Sequence, residues 1–219
     1  MSKTKQKILD TALALYNRNG VSNVSIRQIA KEAGISHSNL IYHYPTQEDV
    51  ILGLHELLLQ KAMDINQIIS HNSSPISTLY KSTQIGFAVV YDFRFLFKDL
   101  QYICSSFSRV NQVIRSVEQV RSGMYRRLID QMRTEKLIRS EEFDHEFDHL
   151  IALIKIYSDS WLGSSSIYDD LPKDKKVDKY SFLLMSHFYP YLTEKGKEEF
   201  KTIQITPPTL HRSVHSSKN

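Results

Sequence analysis

The sequence holds one cysteine, Cys104, in 219 residues. A single thiol has no partner for an intramolecular disulfide, which excludes a disulfide-stapled scaffold and fits a reducing compartment. Glycine and proline are sparse, at 7 and 6, so long loops and repeated β-turns are not expected. No apolar run approaches the roughly 18–20 residues that span a bilayer. The lysines near the N-terminus are not followed by an apolar stretch, so no signal peptide is expected. These absences predict a cytoplasmic protein with no membrane partner. Strand-type alternation is missing and no internal repeat is evident, so the expected fold class is all-α.

What is present is an apolar fraction of 41% and a net charge of +4. The charge is unevenly placed. Residues 1–45 carry Lys3, Lys5, Lys7, Arg18, Arg27 and Lys31 against Asp10 and Glu32, and beyond them basic and acidic residues cancel. A positive field confined to the first fifth of a chain favours a polyanion such as DNA. A basic end that only aids solubility would carry the same charge.

Apolar spacing predicts a first helix from Thr4 to Asn19, with Ile8, Leu9, Ala12, Leu13 and Tyr16 on one face and Gly20 as its stop. Ser25 to Gln28 has capping-box form, with Val24 and Ile29 at the staple positions of a short second helix ended by Gly34. Ser36 can cap a third short helix, stopped by Pro45, with Leu40 and Tyr44 facing inward. Two short helices around a tight glycine turn make a helix-turn-helix. Thr46 can cap a fourth helix of about 24 residues, long enough to leave a small domain and enter a larger one. Ser70 to Pro75 reads as a loop. Further helices are expected near 76–91, 94–106, 110–136, 141–162 and 175–192, with a polar connection from Gly163 to Pro172. The stripes are Val110, Val113, Ile114, Val117, Val120, Met124 and Leu128 on one long helix, and Phe143, Phe147, Leu150, Ile151, Ile154, Ser158 and Trp161 on another. The expected domains are 1–48, a helix-turn-helix unit; 49–205, a helical effector-binding and dimerisation unit; and 206–219, a disordered polar tail.

The stretch SIRQIAKEAGISHSNLIYHYPTQEDV, Ser25 to Val50, with the preceding Asn19-Gly20-Val21, resembles the DNA-binding signature of the TetR family of bacterial transcriptional regulators. The likeness covers about residues 5–52 and rests on the IA-x-x-AG-I-S core, the Tyr-His-Tyr-Pro exit and the following acid pair. It implies a repressor acting as a homodimer on a double-stranded operator of two half-sites. It also implies an unidentified small apolar or aromatic effector, and pairing through the helices near 141–162 and 175–192. The residue chemistry agrees. A recognition helix meets base edges with short polar side chains near its N-terminal end, and His37, Ser38 and Asn39 stand there. Ser25 and Ser36 suit phosphate oxygens, and Arg27, Tyr42 and His43 can reach phosphate or base from the flanks. Two positions depart from the family pattern: Gln47 stands where a phosphate-gripping Lys is common, and Ser38-Asn39 where a small residue and Thr are common. A helical interaction protein that has lost DNA binding is the competing reading.

His145-Glu146-Phe147-Asp148-His149 matches H-E-x-x-H, a zinc-hydrolase signature. On a helix these histidines lie about 200° from the Phe143–Phe147 stripe, and no third ligand follows at a recognised spacing. A solvated charged face is the expectation, with no catalytic residue, no metal and no other cofactor. Rings concentrate in the middle of the chain, and Phe87, Tyr91, Phe95, Tyr102, Phe107, Tyr157 and Trp161 are the candidate lining of an effector pocket. Core or dimer packing would use the same rings.

Overall fold

The structure, a computed structural model, describes residues 2–66 and 74–203, the side chains of 64–66 excepted. Helix α1 (Lys3–Asn19), α2 (Ile26–Glu32) and α3 (His37–His43) form a compact head. Helix α4 (Gln47–Asn66) leads into a body made of α5 (Pro75–Asp92), α6 (Arg94–Lys98), α7 (Leu100–Ser106), α8 (Ser108–Thr134), α9 (Glu146–Tyr168), α10 (Lys173–Ser186) and α11 (Glu194–Thr202). A 3-10 turn spans Tyr189–Tyr191, and a lone bridge joins Ile138 to Leu192.

The head follows its sequence signals closely. Ser25 accepts from the Gln28 N–H while the Gln28 side chain accepts from the Ser25 N–H, so the capping box is complete. Gly34 sits at φ 62, with its N–H on the Lys31 carbonyl and the Ile35 N–H on the Ala30 carbonyl. That pair of bonds closes α2 and aims the chain into α3, and the left-handed position between them suits glycine. Ile8, Leu9, Ile29, Ala30, Leu40, Val50, Ile51 and Leu54 are all buried in one cluster.

That cluster does not stop at the head. It continues through Val89, Phe93, Phe95, Leu96, Ile103 and Val110 of the body. A second cluster lies beneath α5, α8, α9, α10 and α11, with Phe87, Ile154, Trp161, Tyr180, Leu184 and Phe188 among its members.

The body departs from expectation in several places. The helix expected over 94–106 is broken at Asp99, whose side chain is drawn to the head. The helix expected from 141 begins at Glu146, behind a loop in which His145 takes a left-handed φ of 64. It runs through the expected polar connection as far as Tyr168. Phe143, assigned to the apolar stripe, is exposed in that loop, and Val120 and Met124 on α8 are exposed as well. The last expected helix ends at Ser186 rather than 192, and α11 was not anticipated. Its apolar signal is short, and Gly196 and Phe200 are its only buried residues. Helix α4 is described for 20 residues, ending at Asn66. Ile68, Ile69, most of the expected loop from Ser70 and the tail 206–219 lie outside the described residues.

Candidate nucleic-acid interface

Helix α3 is seven residues long, and Leu40 is the one it buries fully. Anchored by Leu40 and capped by Ser36, whose Oγ accepts from the Asn39 N–H at 3.1 Å, the helix turns the rest of its surface outward. His37, Ser38 and Asn39 are exposed, and among the described residues their side chains make no hydrogen bond within the chain. Tyr42 is 83% exposed, against the edge of the half-buried His43 ring at 5.1 Å. Arg27 is exposed on α2, and none of its donors is engaged among the described residues. A large exposed tyrosine beside unengaged amide, imidazole and guanidinium groups leaves donors and acceptors available to base edges and phosphates.

The two serines are placed differently. Ser25 Oγ is held in the capping box, where it also donates to Gln28 Oε1 at 3.0 Å, and Ser36 Oγ already accepts from Asn39. Gln47 is turned inward, where Nε2 donates to the carbonyls of Val21 at 3.0 Å and Val24 at 2.9 Å. Where the resemblance implies a phosphate-gripping Lys, this chain therefore carries a brace beneath the loop that presents Ser25 and Arg27.

Lys5 and Lys7 were not singled out from the sequence as site residues. Lys5 Nζ lies 5.9 Å from the centre of the Tyr44 ring, at the exit of α3. Lys7 Nζ is 3.8 Å from where a Cβ on Gly34 would stand, at the entry. Positive charge thus reaches both ends of α3 from α1. The early lysines, unfavourable for their own helix dipole, were the available signal.

The seven rings proposed for a pocket do not meet in one place. Phe87 stacks on Trp161 with centroids 4.6 Å apart and faces Tyr157 at 6.4 Å. Tyr180 lies 5.3 Å from Trp161, and the Tyr157 hydroxyl donates to the Tyr180 carbonyl at 2.8 Å. Tyr91 packs against the same cluster, beneath Arg94 and Lys173. Phe95 is buried against Tyr16 in the head cluster, and Phe107 packs on that cluster with Tyr102 exposed at its edge. Two clefts of about 390 and about 370 Å³ lie around Asp130 and Arg133, and none of the seven rings lines either.

The H-E-x-x-H segment is not a solvated face throughout. His145 and His149 are exposed, but Glu146 is buried. Arg139 donates to both its oxygens, at 2.7 and 2.8 Å, and the Glu142 N–H adds a third bond. The Arg139 bonds and then the backbone bond hold its carboxyl at about 2. A carboxylate so tied serves structure, pinning the loop before α9.

A solvent-facing polar helix carried on a helix-turn-helix head, with basic side chains at both its ends, defines a DNA-binding protein of the regulator class. Residues 8–54 match the model for bacterial regulatory proteins of the tetR family, and residues 59–200 match the TetR model for bacterial transcriptional repressors. The second match spans well over half of the chain, and the chain belongs to the TetR family. Among curated relatives, the HTH-type transcriptional regulator AcrR of Shigella flexneri is 38% identical over 55 residues, 25% of this chain and 26% of that protein. RutR of Escherichia coli K12 is 34% identical over 65 residues, 30% and 29% of the two chains. The alignments thus span between a quarter and a third of those relatives. A TetR-family regulator from Marinobacter aquaeolei superposes with TM-score 0.78 at 19% identity, covering 91% of this chain and 97% of that one. A regulator structure from Saccharomonospora viridis, in complex with choline, gives 0.73 at 18%, covering 89% and 100%. No described helix is long and apolar enough to cross a membrane.

Proposed function

We propose that this chain is a cytoplasmic, homodimeric repressor, and not an enzyme, that reads two operator half-sites with α3 and releases them when a small molecule enters the body. The observation that carries the DNA reading is the unengaged row His37, Ser38, Asn39 and Tyr42 on a helix fixed from beneath by Leu40. The competing reading, a head that has lost DNA binding, rested on Gln47. That residue braces the head, and Lys5 and Lys7 supply charge nearby. Selection from a random duplex library at fixed salt tests the proposal: a two-fold symmetric motif is expected, and no enrichment over non-specific binding would overturn it.

The dimer reading is supported by α9. Its inner face, including Leu150, Ile154 and Trp161, is buried. Its outer face is apolar too, with Leu153, Ile156 and Ile167 exposed at helical spacing, and Leu183 exposed on α10. A helix apolar on both faces is normally buried on both, and a second copy would cover this one. Phe188, within the 175–192 span expected to pair, is instead 1% exposed in the protomer core.

The effector reading is supported by the stack of Phe87, Tyr157 and Trp161. Trp161 Nε1, within the stack, is buried without a partner among the described residues. Buried polar groups left unpaired cost about 1–3 kcal/mol each. A flat, mostly apolar molecule bearing an acceptor would part the rings and answer such a donor. Trp161 is the only tryptophan, so its fluorescence reports entry directly.

A further inference from the structure

Helix α8 begins without a cap of its own. Its N-cap residue is Phe107, which has no side-chain acceptor, and its first turn holds no acid. The acceptor comes from α4. Glu48 Oε1 takes the N–H of Arg109 at 2.7 Å and that of Val110 at 3.4 Å, while Oε2 takes Arg109 Nε at 2.8 Å. Asp49 holds Arg109 Nη1 at 2.9 Å with one oxygen and caps α4 with the other, accepting from Thr46 N and Oγ1. The first turns of α4 and α8 are thereby tied through two adjacent carboxylates and one guanidinium.

A second tie joins the head to the body elsewhere. Asn17 at the end of α1 donates through Nδ2 to the Asp92 carbonyl at 2.7 Å and accepts from the Phe95 N–H at 3.0 Å. Asp99 accepts from the Val21 N–H at 2.8 Å. Two separate polar attachments, at members of the shared apolar cluster, add direction to a contact that apolar packing alone specifies less sharply. Only Tyr44, Pro45 and Thr46 separate α3 from α4, so the direction of the first turn of α4 is passed almost directly to α3.

We propose that Glu48 is a positioning residue for DNA reading: by capping the α8 of the body from α4, it fixes the angle of α3 and with it the half-site spacing that the dimer prefers. This rests on the reading of the chain as a dimer on two half-sites. A favourable helix dipole alone would explain an acid at 48 or 49. It does not explain a carboxylate that takes two backbone N–H groups of another helix. Spacing is a sensitive readout, because one base pair moves a half-site by about 3.4 Å and turns it by about 34°.

The experiment uses the full chain. Half-sites selected by the unmodified protein are joined by spacers stepped one base pair at a time, and affinity is measured at each for the unmodified chain, Glu48→Ala, Glu48→Gln and Arg109→Ala. The unmodified profile should be sharp. Glu48→Ala should lose about two- to thirtyfold at the optimum and less at neighbouring spacers, with base preference inside each half-site unchanged. Glu48→Gln keeps an oxygen for the two N–H groups, and Arg109→Ala keeps the cap but not the ion pairs, so both should lie between. A Glu48→Ala profile of unaltered shape, whether at full height or lowered evenly as a weakened fold would give, overturns the proposal. If Glu48→Ala is insoluble, the shape of the Glu48→Gln profile decides in the same way. Failure of the unmodified chain to select any motif overturns the DNA reading and this inference together, whereas a selected motif with unaltered profiles overturns this inference alone.

Discussion

Ile156 offers the sharpest test of the dimer. It is 66% exposed on the outer face of α9, opposite the buried Ile154 and Ser158. Fully burying an isoleucine side chain is worth about 1.5–3 kcal/mol, so completing the burial of Ile156 contributes about 1–2 kcal/mol in each protomer. A two-fold interface counts the residue twice, giving about 2–4 kcal/mol per dimer. Ile156→Ala should therefore raise the dimer dissociation constant by about thirty- to a thousandfold. The thermal midpoint of the separated protomer should hardly move, since this face contributes little to the protomer core. Ile156→Glu should go further, because a carboxylate would be buried unpaired. Sedimentation equilibrium over nanomolar to hundred-micromolar chain measures both constants. An Ile156→Ala constant within threefold of the unmodified one would refute the interface. So would a monomeric unmodified chain at micromolar concentration.

Three other outcomes are expected. Asn39→Ala should relax preference at one base position in each half-site, at about 1–3 kcal/mol, read by repeating the selection; an unchanged motif and affinity would remove α3 from the reading role. Gln47→Ala should lower stability by about 1–3 kcal/mol through two lost hydrogen bonds, as read by urea midpoints; an unchanged midpoint with weakened DNA affinity would mean that Gln47 touches phosphate after all. Burial lowers the pKa of His55 in the fold, so below about pH 6.5 the unfolded chain takes up this proton first. Its contribution to stability is whole above that pH and falls below it, by at most about 1.4 kcal/mol per pH unit. Urea midpoints at pH 7.5 and 5.5 should draw closer in His55→Leu, and an undiminished gap would place the effect elsewhere.

The head was legible because its signals are local. Ser25 with Gln28, Ser36, Gly34 and Pro45 each specify a bond or dihedral within a few residues, and Leu40 and Ile29 follow from spacing. The body was less so, because distant contacts decided its boundaries. Nothing near Asp99 in sequence says that the Val21 N–H will claim its carboxylate and break a helix there. Arg139 holds Glu146 across a loop, which moves the start of α9 past Phe143 and turns that ring outward. The stripe Phe147, Leu150, Ile151, Ile154, Ser158 and Trp161 did name the buried face of α9, whereas Phe188 lies past the end of α10, where helical spacing no longer applies. The candidate lining rings are close in sequence but not in space, because Phe95 and Phe107 pack toward the head while Phe87 lies in the second cluster.

The sharing of one hydrophobic cluster between α1 to α4 and the residues Phe93, Phe95, Leu96, Ile103 and Val110 bears on how freely such heads can be exchanged. A chimera that swaps residues 1–48 for a relative's would leave those body side chains facing surfaces that did not evolve with them. The same continuity makes independent melting of the head costly, because its unfolding strips cover from α6 and α7 as well. Heating should then give one cooperative transition for the whole protomer. A graft that respects this seam would carry the body's side of it along, Val89 to Val110 included.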